Sequence, residues 1–150
     1  MIEDREGLLQ HYRQTREELL SAIEGLSDAL LTEPSLDGWS VKHHLAHIAV
    51  WDDIRASEVV RVSAGHASAW RMTPEQDDAY NALTHDLRLS LSLDHVRWEL
   101  ETSRQRLLTA IASATERGLD GSLYGEAGLR SMHEEVHTKW IKRWREAKSV

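Results

Sequence analysis

The sequence predicts an all-α protein, a four-helix bundle, on three observations. Apolar residues recur at helical spacing over four long segments, capping signals stand at the starts of several of them, and strand-like alternation is not convincing anywhere. A chain of 150 residues is about the size of one typical domain, so we expect a single domain over 1–150. Four long amphipathic helices in a domain of this size pack most economically as a bundle.

The first two long helices are predicted over 3–26 and 41–62. Spacing close to i, i+3, i+4 and i+7 gives the first helix one apolar stripe, made of Leu8, Tyr12, Leu19, Ile23 and Leu26. Pro34 and Gly38 mark a break after it. Ser40 then stands as the N-cap of the second helix.

About 30 residues separate the second long helix from the third, which is enough for a crossover along the bundle. A short helix is predicted within this crossover, over 74–88. Thr73 is its N-cap, Pro74 occupies the first helical position, and Gln76 completes a capping box.

The third and fourth long helices are predicted over 93–117 and 128–147. Ser92 precedes the third helix, whose apolar residues again lie on one stripe. The stretch 118–128, "GLDGSLYGEAG", has four glycines in eleven residues and indicates a flexible connection.

Composition excludes several classes of function. The 18 Lys and Arg against 25 Asp and Glu give a net charge of −7, which disfavours nucleic acid and anionic membranes as partners. The chain has no cysteine, so any bound metal must use nitrogen and oxygen ligands. The N-terminal stretch lacks the apolar core of a signal peptide, and no run of about 18 apolar residues occurs. We therefore expect a cytoplasmic protein.

The predicted last helix carries two histidines four residues apart, His133 and His137. At about 100° per residue, both project into the middle of its apolar stripe, which comprises Leu129, Val136, Trp140, Trp144 and Ala147. The positions expected to face solvent are Glu134, Glu135, Thr138 and Arg145. Residues at i and i+4 can converge on one metal ion. The same spacing also fits two core histidines that need only hydrogen-bond partners.

The second helix supplies a third inward-facing histidine. His47 projects between Trp51 and Ile54, while His43 lies closer to the solvent edge. His44 has a similar face and is a competing candidate. Three imidazoles from two helices would leave positions open for water or substrate, as in catalytic metal sites. The remaining histidines are expected at the surface or behind the site: His11, His66, His85 and His95.

These motifs resemble the DinB/YfiT-like superfamily over essentially the whole chain. The stretch 38–53, "GWSVKHHLAHIAVWDD", looks like the second-helix signature of that family, and 133–144, "HEEVHTKWIKRW", is similar to its fourth-helix histidine pair. The stretches 77–82, "DDAYNA", and 91–108, "LSLDHVRWELETSRQRLL", are similar to the middle of the ClbS/DfsB-type members.

The resemblance implies an up-down-down-up bundle that holds a divalent metal, often zinc or nickel, on three histidines. Carried over position by position, these ligands are His47, His133 and His137. His44 has no fixed counterpart in the family pattern. Some members of the family are thiol S-transferases that use bacillithiol or mycothiol, one line opens a reactive genotoxin, and many have no assigned reaction.

Three functions of different classes are consistent with these residues. The first is a metal-dependent enzyme of detoxification or stress response, which transfers a low-molecular-weight thiol to a small electrophile or hydrolyses it. The second is a protein that sequesters a small toxic ligand without turnover. The third is a metal-free structural bundle whose histidines fill the core.

No catalytic residue is predicted beyond the metal ligands. Asp52, Asp53 and Asp86 lie near the relevant elements, but each is expected to be a solvated surface charge. Asn81, at the position of a recurrent family asparagine, fits a structural bond or a substrate contact equally. Six tryptophans and exposed helix faces suggest a homodimer.

Overall fold

The computed structural model describes residues 1–70, 72–125 and 128–150, and the elements of regular structure in these ranges are helices. They are α1 (Arg5–Ile23), α2 (Asp28–Thr32), α3 (Val41–Ser63), α4 (Pro74–Arg88), α5 (Leu93–Ala112) and α6 (His133–Lys148). Two short 3-10 turns, Arg117–Leu119 and Gly121–Tyr124, connect α5 to α6. The predicted all-α class is confirmed. Among the described helices, none is long and apolar enough to cross a membrane.

The predicted starts of α3, α4 and α5 are confirmed, because each begins after the predicted cap. The side chains of Ser40, Thr73 and Ser92 each accept a hydrogen bond from the backbone N–H three residues later. At α4 the predicted capping box is complete, since the Thr73 N–H donates to Gln76 Oε1 at 2.9 Å. Local side-chain chemistry therefore sets these boundaries.

Three boundaries differ from the prediction. The break after the first helix contains the short helix α2, which Ser27 caps. Helix α5 ends at Ala112 rather than at 117, because the Arg5 guanidinium binds the carbonyl oxygens at its end. Helix α6 begins at His133 rather than at 128, and Gly128 has a left-handed φ of 64°, which does not fit a right-handed helix. Residues 126 and 127 of the predicted connection lie outside the described ranges.

The apolar core has two clusters, which are arranged one after the other along the long helices. Helix α3 packs most extensively against α5, and α1 packs against α6 and α5. One cluster includes Leu19, Leu45 and Ile141, and the other includes Leu8 and Ile111. Along each helix, these residues flank a short polar interval that is also buried.

Four charged side chains form a buried layer in that interval, one from each long helix. Arg16 of α1 donates to Asp52 of α3 at 2.9 Å and to Glu134 of α6 at 2.7 Å. Arg104 of α5 donates to both oxygens of Asp52 at 3.0 Å and also to Glu134. All four residues are buried. This ionic layer therefore links the four long helices at one level.

Two predictions about charged or polar positions are wrong for this reason. Asp52 was expected to be a solvated surface charge, but it is only 1% exposed. Glu134 and Thr138 were expected to face solvent but are buried, while Val136 and Trp140, assigned to the apolar stripe, are about two-fifths exposed. Helix α6 is therefore rotated about its axis, relative to the orientation that its apolar stripe predicts. The rotation turns Glu134 toward the two arginines that bind it. Asp53 and Asp86 are not buried, as expected.

Replacing Asp52 by Asn is expected to destabilise the protein by about 3 to 5 kcal/mol, because the change leaves two buried arginines with too little negative charge. The matched control is the neighbouring change Asp53→Asn. Asp53 binds Arg106 at the surface, so its loss should cost less than about 1 kcal/mol. Urea unfolding of both variants measures the difference, and equal losses would contradict a buried ionic layer.

Candidate metal centre

Three histidine side chains from α3 and α6 converge at one point. The Nε2 atoms of His47 and His133 are 2.9 Å apart, and those of His133 and His137 are 3.1 Å apart. One nitrogen from each ring lies within 4.8 Å of the others. The structure thus brings together the three residues predicted as ligands. His47 and His133 are partly exposed, whereas His137 is buried.

Burial keeps the three imidazoles neutral at physiological pH. Desolvation is the main cause that lowers the pKa of His47 to about 4, of His133 to about 2 and of His137 to about 3. Neighbouring histidines lower the pKa values of all three further, and the positive charge of Arg55 also lowers those of His47 and His133. A neutral imidazole can offer a lone pair to a metal, which a protonated one cannot.

Two of the three nitrogen separations are close to those of a divalent metal site. In a tetrahedral site with nitrogen ligands at about 2.0–2.1 Å, neighbouring nitrogens lie about 3.3 Å apart. The observed distances are only a few tenths of an ångström shorter. Three neutral Nε2 atoms at this spacing cannot all satisfy one another by hydrogen bonds, since each ring carries one hydrogen. An ion that accepts three lone pairs would satisfy them together.

His44 lies behind His137 and is not part of the cluster. Its Nδ1 is 2.8 Å from Nδ1 of His137, on the side of that ring opposite to Nε2. If Nε2 of His137 gives its lone pair to a metal, Nδ1 of that neutral ring carries the hydrogen and donates it to His44. His44 is 5% exposed, and burial lowers its pKa to about 4, so it remains neutral and able to accept. This contact favours an orienting role over the competing role of ligand.

Three tryptophans surround the histidine cluster. Trp39 has edge contacts with His44 and His47, Trp140 contacts His44 and His137, and Trp51 lies 6.1 Å from the ring of His133. Trp51 therefore lines the site.

Asn81 of α4 contacts this wall rather than an open pocket. Its side-chain oxygen accepts a hydrogen bond from the Trp51 indole at 3.0 Å. This bond gives Asn81 a structural role.

The other histidines lie at different places. His43 completes the cap of α3, its Nδ1 accepting from the Ser40 N–H, and His85 stacks on Trp39 at 4.5 Å. His66 is exposed, and His95 lies at the surface beside Glu99. His11 is mostly buried, with its Nε2 2.8 Å from the Ser131 carbonyl oxygen. The remaining histidines are thus at the surface or behind the site, as expected.

Comparison with known proteins identifies the family to which the chain belongs. The model of the DinB superfamily matches residues 11–141. The chain belongs to the DinB superfamily. This finding confirms the family resemblance of the second-helix signature and of the histidine pair in α6. No curated protein matches the sequence significantly.

Among solved structures, the crystal structure of the mycothiol-dependent maleylpyruvate isomerase is similar to this DinB-superfamily chain, with a TM-score of 0.65 and 20% sequence identity. The similarity covers 93% of this chain and 58% of the isomerase chain. The protein therefore spans little more than half the length of that enzyme. At this identity the likeness shows a shared fold.

Without metal, the protein should lose stability as pH falls from about 6.5 toward 4. In this window the histidines of the unfolded chain, with pKa values near 6.5, bind protons that buried His47, His133 and His137 do not bind. The free energy of unfolding then falls by up to about 1.4 kcal/mol per pH unit for each such histidine. Denaturant unfolding at a series of pH values in a chelator measures the slope.

The double change His133→Leu and His137→Leu should make this slope shallower, because two of the three buried histidines no longer contribute to the loss of unfolding free energy per pH unit. His66→Gln is the control, because His66 is exposed and should leave the slope unchanged. An identical slope in the double variant would show that these two rings are not held neutral.

Replacing His44 by Leu should weaken zinc binding by about 10- to 100-fold, because His137 loses the acceptor that orients its ring. His44→Gln retains an acceptor oxygen and should lose less affinity. The measurement is competition for zinc with a chromophoric chelator, with His43→Ala as the control from the adjacent position. Wild-type affinity in His44→Leu would show that His137 needs no orienting partner.

Proposed function

We propose that the protein is a divalent-metal-dependent enzyme that acts on small electrophilic molecules, by transfer of a low-molecular-weight thiol or by hydrolysis. The observation that carries this proposal is the convergence of nitrogen atoms from three neutral imidazoles, those of His47, His133 and His137, between two helices. Three protein ligands leave coordination positions open, as catalytic sites require and closed structural sites do not.

The family and its structural relative support thiol chemistry as the first choice. The similar solved structure is that of an enzyme described as mycothiol-dependent. A divalent ion held by the three histidines would supply the charge that lowers the pKa of a thiol or a water beside it and polarises an electrophile. Because the chain has no cysteine, the thiol must come from outside the protein.

The residues around the histidines would shape the site and keep it dry. Trp39, Trp51 and Trp140 form apolar walls beside the rings, and His44 orients His137. Excluding water would strengthen electrostatic interactions and protect a reactive electrophile from uncontrolled hydrolysis.

Finer expectations from the sequence belong to the same proposal. These are zinc or nickel as the ion, one domain over 1–150 with its long helices in up-down-down-up order, a cytoplasmic location and a homodimer.

One observation favours a second candidate, a protein that sequesters an electrophile without turnover. The two buried carboxylates closest in sequence to the ligands are Asp52 and Glu134, and both are bound by Arg16 and Arg104. Neither is free to act as a general base.

Thiol transfer depends less on such a base than hydrolysis does, since a metal can itself lower the pKa of a bound thiol.

Turnover separates the two candidates. The zinc- or nickel-loaded protein, incubated with a small electrophile and with mycothiol, bacillithiol or glutathione, should form the thiol adduct catalytically. Removing the metal or changing His137 to Ala should lower the rate at least about 100-fold, because the charge that activates the thiol is lost. Mass spectrometry of the adduct over time is the measurement.

Binding and folding controls make the result interpretable. Metal at a hundred times its dissociation constant should add about 2.7 kcal/mol to wild-type stability, and His137→Ala should lack that increment. His95→Ala, at the surface, is the matched control and should retain both the increment and the rate. Stoichiometric capture without repeated turnover would favour sequestration, and no metal-dependent increment at all would favour a structural bundle.

A further inference from the structure

The arginines near the candidate metal centre outnumber the carboxylates that pair with them. In the ionic layer, Arg16 and Arg104 bind Asp52 and Glu134 and balance their charges. Arg55 is a third arginine beside this layer, 3.9 Å from Asp52. Within the described ranges, these residues therefore leave one unmatched positive charge, which is costly at a partly buried position.

Arg55 is fixed in place and directed toward the histidines by neutral contacts. It is mostly buried, with a side chain 20% exposed. Its Nη2 donates to the Ser131 hydroxyl at 2.7 Å, and the same hydroxyl accepts from the His133 N–H at 3.1 Å. One serine thus joins the guanidinium to the backbone of a proposed ligand.

Arg55 lines a cavity of about 100 Å³ with mainly apolar walls. Trp51, Trp70, Tyr124 and Leu129 are among the other lining residues. A cavity needs only about 10–15 Å³ of such space to hold one water molecule, so this one has room for a carboxylate with a short carbon chain. The cavity therefore combines apolar walls with a guanidinium that has donors to spare.

Glu58 also lines the cavity, but its own charge is already satisfied. Its oxygens accept from the Ser68 hydroxyl, from the N–H groups of Ala69 and Trp70, and from Arg61 at 3.3 Å. These donors balance the negative charge of Glu58 and hold its carboxylate toward residues 68–70, between α3 and α4. Among the described residues, Glu58 is therefore compensated by other donors rather than by Arg55.

The cavity and the histidine cluster share one wall, the Trp51 indole. Trp51 lies 6.4 Å from the ring of His47 and 6.1 Å from that of His133, and it packs edge-on against Trp70 at 5.2 Å. A group in the cavity would thus be separated from the cluster by about the width of this side chain. The cavity and the cluster are therefore neighbouring sites on the two sides of one side chain.

We propose that Arg55 is the binding residue for a carboxylate of a small acidic electrophile, which it holds in the cavity separated by Trp51 from His47, His133 and His137. The identification of the ligand as an electrophile rests on the proposed function, whereas the carboxylate site rests on Arg55 and its cavity. The planar guanidinium can bind a carboxylate through two parallel hydrogen bonds, and the apolar walls strengthen that contact by excluding water.

Maleate and its uncharged dimethyl ester are suitable probes, because they have the same carbon skeleton and differ in charge. Titration of the metal-free protein, followed by tryptophan fluorescence, measures binding that cannot involve a metal. Maleate should bind wild-type protein, and Arg55→Gln should weaken it by about 10- to 100-fold, as expected for the loss of a charged hydrogen-bond partner. Binding of the ester should change little.

Matched variants separate the role of Arg55 from general charge and from folding. Arg106→Gln removes the same charge from the surface and should leave maleate binding within about twofold of wild type. Arg55→Lys retains the charge but lacks the planar fork, so its affinity should lie between wild type and Arg55→Gln. Equal helical circular dichroism and melting temperatures ensure that the compared proteins are folded.

Two results would overturn the inference: equal maleate affinity in wild type and Arg55→Gln, or maleate binding that requires metal and ignores Arg55. The second result would place the carboxylate on the ion and leave the proposed enzyme intact. Conversely, Arg55-dependent binding to a protein without metal-dependent turnover would support the carboxylate site and reject the enzymatic function. The two proposals therefore fail in distinguishable ways.

Discussion

The pairing of two buried arginines with two buried carboxylates constrains the rest of this structure. Arg16 and Arg104 come from α1 and α5, while Asp52 and Glu134 come from the helices that carry the histidines. Charges removed from water must meet their partners in good geometry, so the rotation of each helix is restricted. Since Glu134 directly follows His133 in the chain, the rotation that buries this carboxylate also positions that ring. Helices α1 and α5, which carry no proposed ligand, thus fix the orientation of α3 and α6, which carry all three.

Much of the fold follows from local signals in the sequence. Apolar residues at helical spacing indicate the long helices, and the side chains of Ser40, Thr73 and Ser92 mark three helix starts to the residue. The convergence of His47 with the pair in α6 follows from projection together with the family resemblance. These features depend on residues close in sequence or on a pattern already known for the family.

The features that sequence analysis misses depend on contacts between helices. Asp52 and Glu134 look like surface charges within their own helices. Their burial is favourable because arginines distant in sequence bind them, such as Arg16, which is 36 positions from Asp52 and 118 from Glu134. His44 likewise resembles His47 in projection, and its role depends on which nitrogen of His137 it meets. Helices α1 and α5 carry three arginines each, and the sequence gives no local sign of which one turns inward.

The distribution of tryptophans gives this protein a local optical signature. Trp39, Trp51 and Trp140 contact the histidine cluster, and Trp70 packs against Trp51. Four of the six indoles therefore report on one small region, whereas far-ultraviolet circular dichroism reports on all the helices. Fluorescence emission would follow the opening of that region, and ellipticity the loss of the whole fold. A difference between the two unfolding curves would reveal a subglobal motion that either signal alone would mistake for global unfolding.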